Sequence, residues 1–299
     1  MGKGMLFAAS AFITWGLFPV YFKILAAMPP VELLAHRMLW SLAFVLVVLA
    51  WRRQWAWLKS LCQQPLVIVG FIASGALLGL NWCIYIWAVQ HDRIVDTSLG
   101  YFINPLINVL IGWLLLKERL RVGQWTAVGI AFAGVAWLTW HSGSLPWIAL
   151  ALALTFAGYG LLRKTALLGP LEGLALESMV LAPVCLLYLA WLGVHQQVAY
   201  SGLSTGLQLL VIASGPITAI PLLMFAAGAR RIPLSVLGLL QYIGPSLQLL
   251  VGIFVYHEPF SGHRMIAFIL IWSALLLYSL EGAWRAWWSR TPANPQQAG

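Results

Sequence analysis

Tyr101, Asn104 and Asn108 stand at i, i+3 and i+7 inside an otherwise apolar run, a spacing that puts them on one stripe of a helix. A second run carries Gln241, with Tyr242 beside it, and Gln248 at the same relative positions as Tyr101 and Asn108. Polar side chains inside apolar runs of this kind face protein or a water-filled cavity. There they can hydrogen-bond a small solute. They can equally bond one helix to another, and both readings stand for Asn104, Gln241, Asn108 and Gln248. Asn81 and Tyr85 share a helix face at i, i+4, with Trp82 between them, and Trp15 lies mid-run beside Gly16. Aromatic faces at these positions, and at Tyr159, could stack on a planar or apolar solute or simply pack the interior.

Three ionisable groups fall well inside apolar runs: His36, Arg37 and Glu177. Arg37 is the most expensive to bury and needs a partner or a task. One task is a bidentate contact to a solute carboxylate. The reading we prefer from sequence is a structural ion pair with Asp92, Asp96 or Glu32. Glu32 and His36, at i, i+4, could also pair. Glu177 has Arg163 and Lys164 as counter-ions, and a proton-carrying role is open to it. Glu118 and Glu258 stand at run ends, where capping and ion pairing are expected.

These groups do not converge on catalysis. Gly202-Leu203-Ser204-Thr205-Gly206 spells a nucleophile elbow but lies in a connector between apolar runs, without the strand–turn–helix context that motif needs. His257, Glu258 and His263 have poor spacing for zinc, and Cys62, Cys83 and Cys185 have no metal or redox spacing. We expect no enzyme activity, no cofactor and no metal. The basic residues are dispersed among connectors, so nucleic acid is not an expected partner.

The elements that must position these residues are long apolar helices. Of 299 residues, 62% are hydrophobic and only 8% charged, too few charges to cover a water-soluble fold. A bilayer crossing takes about 20 apolar residues. Ten such spans are expected, at 5–27, 31–51, 66–90, 94–116, 123–141, 146–168, 172–192, 207–229, 233–256 and 264–284. The first reads as a retained span rather than a cleaved leader. With the N-terminus in the cytoplasm, thirteen of the 17 Lys and Arg residues fall on the inner side, against four outside (Lys23, Arg37, Arg93 and Arg264). That bias orients both termini inward. Trp51, Trp55, Trp57, Trp284, Trp287 and Trp288 sit where an interfacial aromatic belt belongs.

The chain also repeats itself. Ile72-Ala73-Ser74-Gly75 recurs as Ile212-Ala213-Ser214-Gly215, an offset of 140. At that offset Leu99, Ile103, Pro105, Leu110, Gly112 and Glu118 match Leu239, Ile243, Pro245, Leu250, Gly252 and Glu258. Trp15-Gly16 matches Tyr159-Gly160 at an offset of 144. Five spans per half force the second half to enter from the opposite face. The expected fold is therefore an all-α polytopic membrane protein: ten transmembrane helices in two inverted five-helix repeats, 1–143 and 144–288, with 289–299 a disordered cytoplasmic tail. Inverted repeats suit alternating access, since the two halves can exchange conformations. A passive channel and a membrane enzyme acting on lipid are the competing classes. The matched Pro105 and Pro245 could act as hinges or static kinks.

Several runs resemble the EamA family of the drug/metabolite transporter superfamily, and within it the RarD-type proteins. They are Trp15-Gly16, Ala35-His36-Arg37, Trp40-Ser41, Asn81-Trp82, Ile86-Trp87-Ala88-Val89 and Ser98-Leu99-Gly100-Tyr101-Phe102-Ile103-Asn104-Pro105. Lys117-Glu118-Arg119, Glu177-Ser178-Met179 and Gln241-Tyr242-Ile243-Gly244-Pro245 complete the set. The resemblance implies a bacterial inner-membrane permease, with a cavity lined by spans one, three, four, six, eight and nine. It implies that small metabolites or drugs are moved, usually outward. The expected partners are a small-molecule substrate and the lipid bilayer, with protons a candidate coupling ion. Single cysteines placed at residues 117 and 257 should be labelled by a membrane-impermeant thiol reagent from opposite faces. Labelling from one face would contradict the inverted arrangement.

Overall fold

The computed structural model describes residues 2–53, 55–61, 65–117, 119–164, 168–229, 231–232 and 234–288, and every assigned element among them is helical. Helices α1 (Gly2–Gly16) and α2 (Phe18–Ile24) cover the first expected span. Then come α3 (Pro30–Arg52), a short α4 (Ala56–Leu61), α5 (Pro65–Gln90), α6 (Ile94–Leu116) and α7 (Val122–Ser142). The second half has α8 (Trp147–Lys164), α9 (Pro170–Val194), α10 (Thr205–Ala229), α11 (Leu234–Leu240), α12 (Ile243–Leu250) and α13 (Gly262–Trp288). Eight of the expected spans are helical stretches long and apolar enough to cross a membrane. The sixth and ninth fall on shorter apolar helices, Trp147–Arg163 and Ile243–Val255.

Two spans expected to be continuous are broken, each beside a proline. Proline has no N–H and its ring collides with the carbonyl four residues back. Pro19 opens α2 after the break at Leu17. Pro245 threatens the Gln241 carbonyl, and the ninth span divides at Gln241–Tyr242. A π turn, Val251–Val255, then ends that span, with the Tyr256 N–H donating to Val251 O at 3.1 Å. Pro105 by contrast lies inside the unbroken α6. The two matched prolines thus act differently in this conformation. Residue 118, residue 62 and the expected tail 289–299 lie outside the described residues.

Lipid chains are as apolar as leucine, so burying apolar area does not drive these helices together; close packing of small residues does. A Cβ added at Gly100 would lie 2.7 Å from Ala149 O, so α6 and α8 touch backbone to backbone. One added at Gly16 would lie 2.7 Å from Leu247 Cβ, on α12. The other main packings join α1 and α5 to α10 and α8 respectively, α3 to α9 and α10, α5 to α9, and α7 to α13. A core of Val95, Leu99, Phe102, Ala149, Phe268 and Ile271 ties α6 and α8 to α13.

Gly75 and Gly215 occupy matching places in the repeat but differ in room. A Cβ at Gly215 would collide with Trp40 O, whereas one at Gly75 would make ordinary contact, 3.5 Å from Glu177 O. Gly215→Ala should destabilise the protein by about 1–3 kcal/mol, as overpacking does. Gly75→Ala should leave it near wild type. Melting temperatures in detergent will check the contrast.

Candidate functional site

Asn81 faces inward from α5, 1% exposed. Its Nδ2 donates to Leu152 O at 3.0 Å and to Thr155 Oγ1 at 2.9 Å, fastening α5 to α8. The Tyr101 hydroxyl, from α6, reaches Asn81 Oδ1 at 3.5 Å. One turn along α5, Tyr85 is equally buried, and its hydroxyl has no hydrogen-bond partner. Trp82, Tyr85 and Tyr101 form successive ring contacts at 5.5 and 5.9 Å. The series continues to Phe156 and Tyr159 of α8, at 5.9 and 6.0 Å. On its other side Phe18 and Phe22 of α2 meet Trp82 at 5.6 and 6.1 Å. The broken first span thus supplies one end of an aromatic wall.

Arg37 enters this wall from α3. Its guanidinium carbon lies 3.5 Å from the centroid of the Trp82 ring, a cation–π contact. Its Nε donates to Thr218 Oγ1 of α10 at 2.9 Å. The ion pair expected from sequence is not made. Asp92 pairs with Lys23, and Asp96 with Arg93 and Arg264. Glu32 accepts from the Ala199 and Tyr200 N–H groups at 3.1 and 2.9 Å. Each of these carboxylates has a nearer donor at the connector level, which Arg37, deeper in its span, does not reach. His36 likewise stacks on Tyr200 at 4.7 Å instead of bonding Glu32.

The remaining polar residues sort into separate places. Asn104 is buried with its Oδ1 unpartnered. Gln248 is 4% exposed and donates to Trp15 O at 3.3 Å, while Trp15 packs between Phe12 and Phe225. Its repeat mate Asn108 is exposed. It lines a concavity of about 280 Å³ with Arg119, Arg121, Gln124 and Tyr278. A neighbouring one, of about 320 Å³, is bounded by Trp113, Leu114, Lys117 and Arg119. Tyr242 stacks on Phe102 at 6.4 Å, while Gln241 is half-buried at the helix break.

Glu177 makes the expected pair with Arg163, at 3.9 Å, too long for a hydrogen bond. Sequence reasoning missed its stronger partner, Ser74, whose hydroxyl donates to Oε1 at 2.8 Å. Tyr159 approaches Oε2 at 3.5 Å. Thr218 was missed as well. The repeat itself held one signal, since Ser74 belongs to its matched tetrad.

Glu258 closes the opposite end of the bundle. Beyond the ninth span it accepts from the N–H groups of Ile94 and Val95 at 2.7 and 2.8 Å, capping α6. Burial holds its carboxyl above the ordinary carboxylate range, against the pull of those two donors.

Comparison with known proteins identifies the family. Residues 2–140 match the EamA-like transporter family. The uncharacterized transporter YojE of Bacillus subtilis is 47% identical over 283 residues, covering 93% of this chain and 94% of that one. Protein RarD of Escherichia coli is 42% identical over 279 residues, covering 93% and 94%. A crystal structure at 21% identity aligns with a TM-score of 0.58 over 93% of this chain and 98% of the other, which supports the fold.

Removing Arg163 leaves the buried Glu177 charge with hydroxyl partners alone. Arg163→Met should cost about 1–3 kcal/mol of stability. Adding Glu177→Gln should recover part of that loss. A double-mutant cycle of melting temperatures measures the coupling.

Proposed function

This chain belongs to the EamA-like transporter family, of the RarD type, and from that premise we propose that it is a secondary transporter working by alternating access. In this reading it exports small metabolites or drugs across a bacterial inner membrane, both termini lie in the cytoplasm, and the protein catalyses no reaction. The family membership carries the transport class. The carrying observation for the mechanism is that the packing repeats between halves. The contact of α1 with α10 has its counterpart in α5 with α8, that of α6 with α8 in α1 with α12, and that of α3 with α10 in α5 with α9. The helices that stand in for one another, α3 and α9, α6 and α12, α7 and α13, pack together. Two units interlocked in this way can exchange their arrangements and so change which side is open.

The differences between mates support a direction for the present conformation. Gln248 is buried and Asn108 exposed, although they stand 140 residues apart in the repeat. Glu258 bonds α6 at the proposed outer side, while the concavities beside Asn108 lie toward the proposed inner side. We read the conformation as closed outside. The buried amide of Asn104, with an unpartnered oxygen, and Gln241 at the helix break would meet solute as the bundle rearranges.

Asn104→Leu and Gln241→Leu should each abolish solute flux in inverted membrane vesicles while the protein still inserts and melts as a folded species. Unchanged flux in both variants removes them from the solute's route. Running the same vesicles with and without a proton gradient will decide coupling.

A further inference from the structure

We propose that Arg37 anchors a single carboxylate group on the transported solute, whose remainder is apolar. The inference rests on the transporter reading and names its substrate class.

Arg37 is 1% exposed, and no ion pair neutralises it among the described residues. A lone cation at bilayer depth is costly and marks a functional position by default. The guanidinium is nevertheless oriented. Trp82 covers one face, and Thr218 takes Nε. Nη1 is buried without a partner. What these contacts leave is the terminal edge of the fork, the edge that binds a carboxylate through two parallel hydrogen bonds. The Tyr85 hydroxyl, also buried and unpartnered, is a further donor, and Tyr21, Tyr85 and Tyr101 lie within electrostatic reach of the guanidinium.

Charge balance selects the ligand. Glu32, Asp92, Asp96, Glu177 and Glu258 are all engaged elsewhere. Among the described residues one buried cation of this wall stands unneutralised, so a monoanion closes the site electrically and a phosphate dianion would leave a buried negative charge. Phe18, Phe22 and Trp82 make the neighbouring walls apolar. An apolar monocarboxylate fits both features.

The test uses the full-length protein in lipid nanodiscs, with phenylacetate and isovalerate as probes and their primary amides as neutral partners. Thermal-shift titrations should give saturable stabilisation by at least one acid, with its amide weaker by about tenfold or more, the worth of a charge-assisted hydrogen bond. Arg37→Lys, which keeps the charge but loses the fork, should weaken the acid by about tenfold. Arg37→Gln should remove the preference for acid over amide. Binding by neither acid, equal binding of acid and amide, or an acid preference surviving in Arg37→Gln would overturn the proposal. Should Arg37→Gln fail to fold, the wild-type acid–amide comparison and Arg37→Lys still decide it. Vesicle flux separates the two readings. An acid that binds through Arg37 but is never moved sinks the transport reading alone. Flux of the neutral amides untouched by Arg37→Gln, without acid binding, sinks the anion site alone.

Discussion

A polar group inside a bilayer can be satisfied only by protein or by enclosed water, and this constraint organises the whole bundle. Asn81 binds α5 to α8, Glu177 binds α9 to α5, and Gln248 binds α12 to α1. Each joins helices distant in sequence, and each answers a side chain that lipid would not tolerate. Arg37 is the case in which the answer is incomplete. It has an aromatic face and one hydroxyl, but no anion among the described residues.

The repeat adds a second level. Arg37 and Glu177 stand 140 residues apart, as do Ser74 and Ser214, so in the proposed repeat one position carries a cation in the first half and a carboxylate in the second. Glu177 found its partners within the protein. Its mate has Thr218 and the Trp82 face but no anion among the described residues, and that asymmetry is what turns a structural question about Arg37 into a functional one. Glu258 and Glu32 play a different part. Each caps N–H groups of a segment in the other half of the chain, tying the halves where they meet.

Much of this was legible in the residues. Apolar length alone located the eight stretches long and apolar enough to cross a membrane and the two shorter apolar helices, and α6 falls on the expected 94–116. The Arg163–Glu177 pair followed from two charges at one depth. Other features had no local signature. The breaks at Leu17 and Gln241–Tyr242 depend on which prolines the packing allows to bend a helix, and Pro105, with the same local chemistry as Pro245, leaves its helix whole. The preferred ion pair of Arg37 failed because sequence does not show which donors already hold the carboxylates. Asp92, Asp96 and Glu32 are claimed at the connector level by Lys23, Arg264 and the backbone of the 199–200 connector. Tyr242 stands beside Gln241 in sequence, yet the helix breaks at this pair, and Tyr242 packs on Phe102.

Alternating access requires two halves that trade places. Distances between spin labels measure this most directly, with one pair at residues 91 and 257 and another at their repeat counterparts, 231 and 117. Alternating access predicts that a solute gradient shifts the two distributions in opposite senses, one pair separating as the other closes. Two distributions that stay fixed, or that move together, would contradict it.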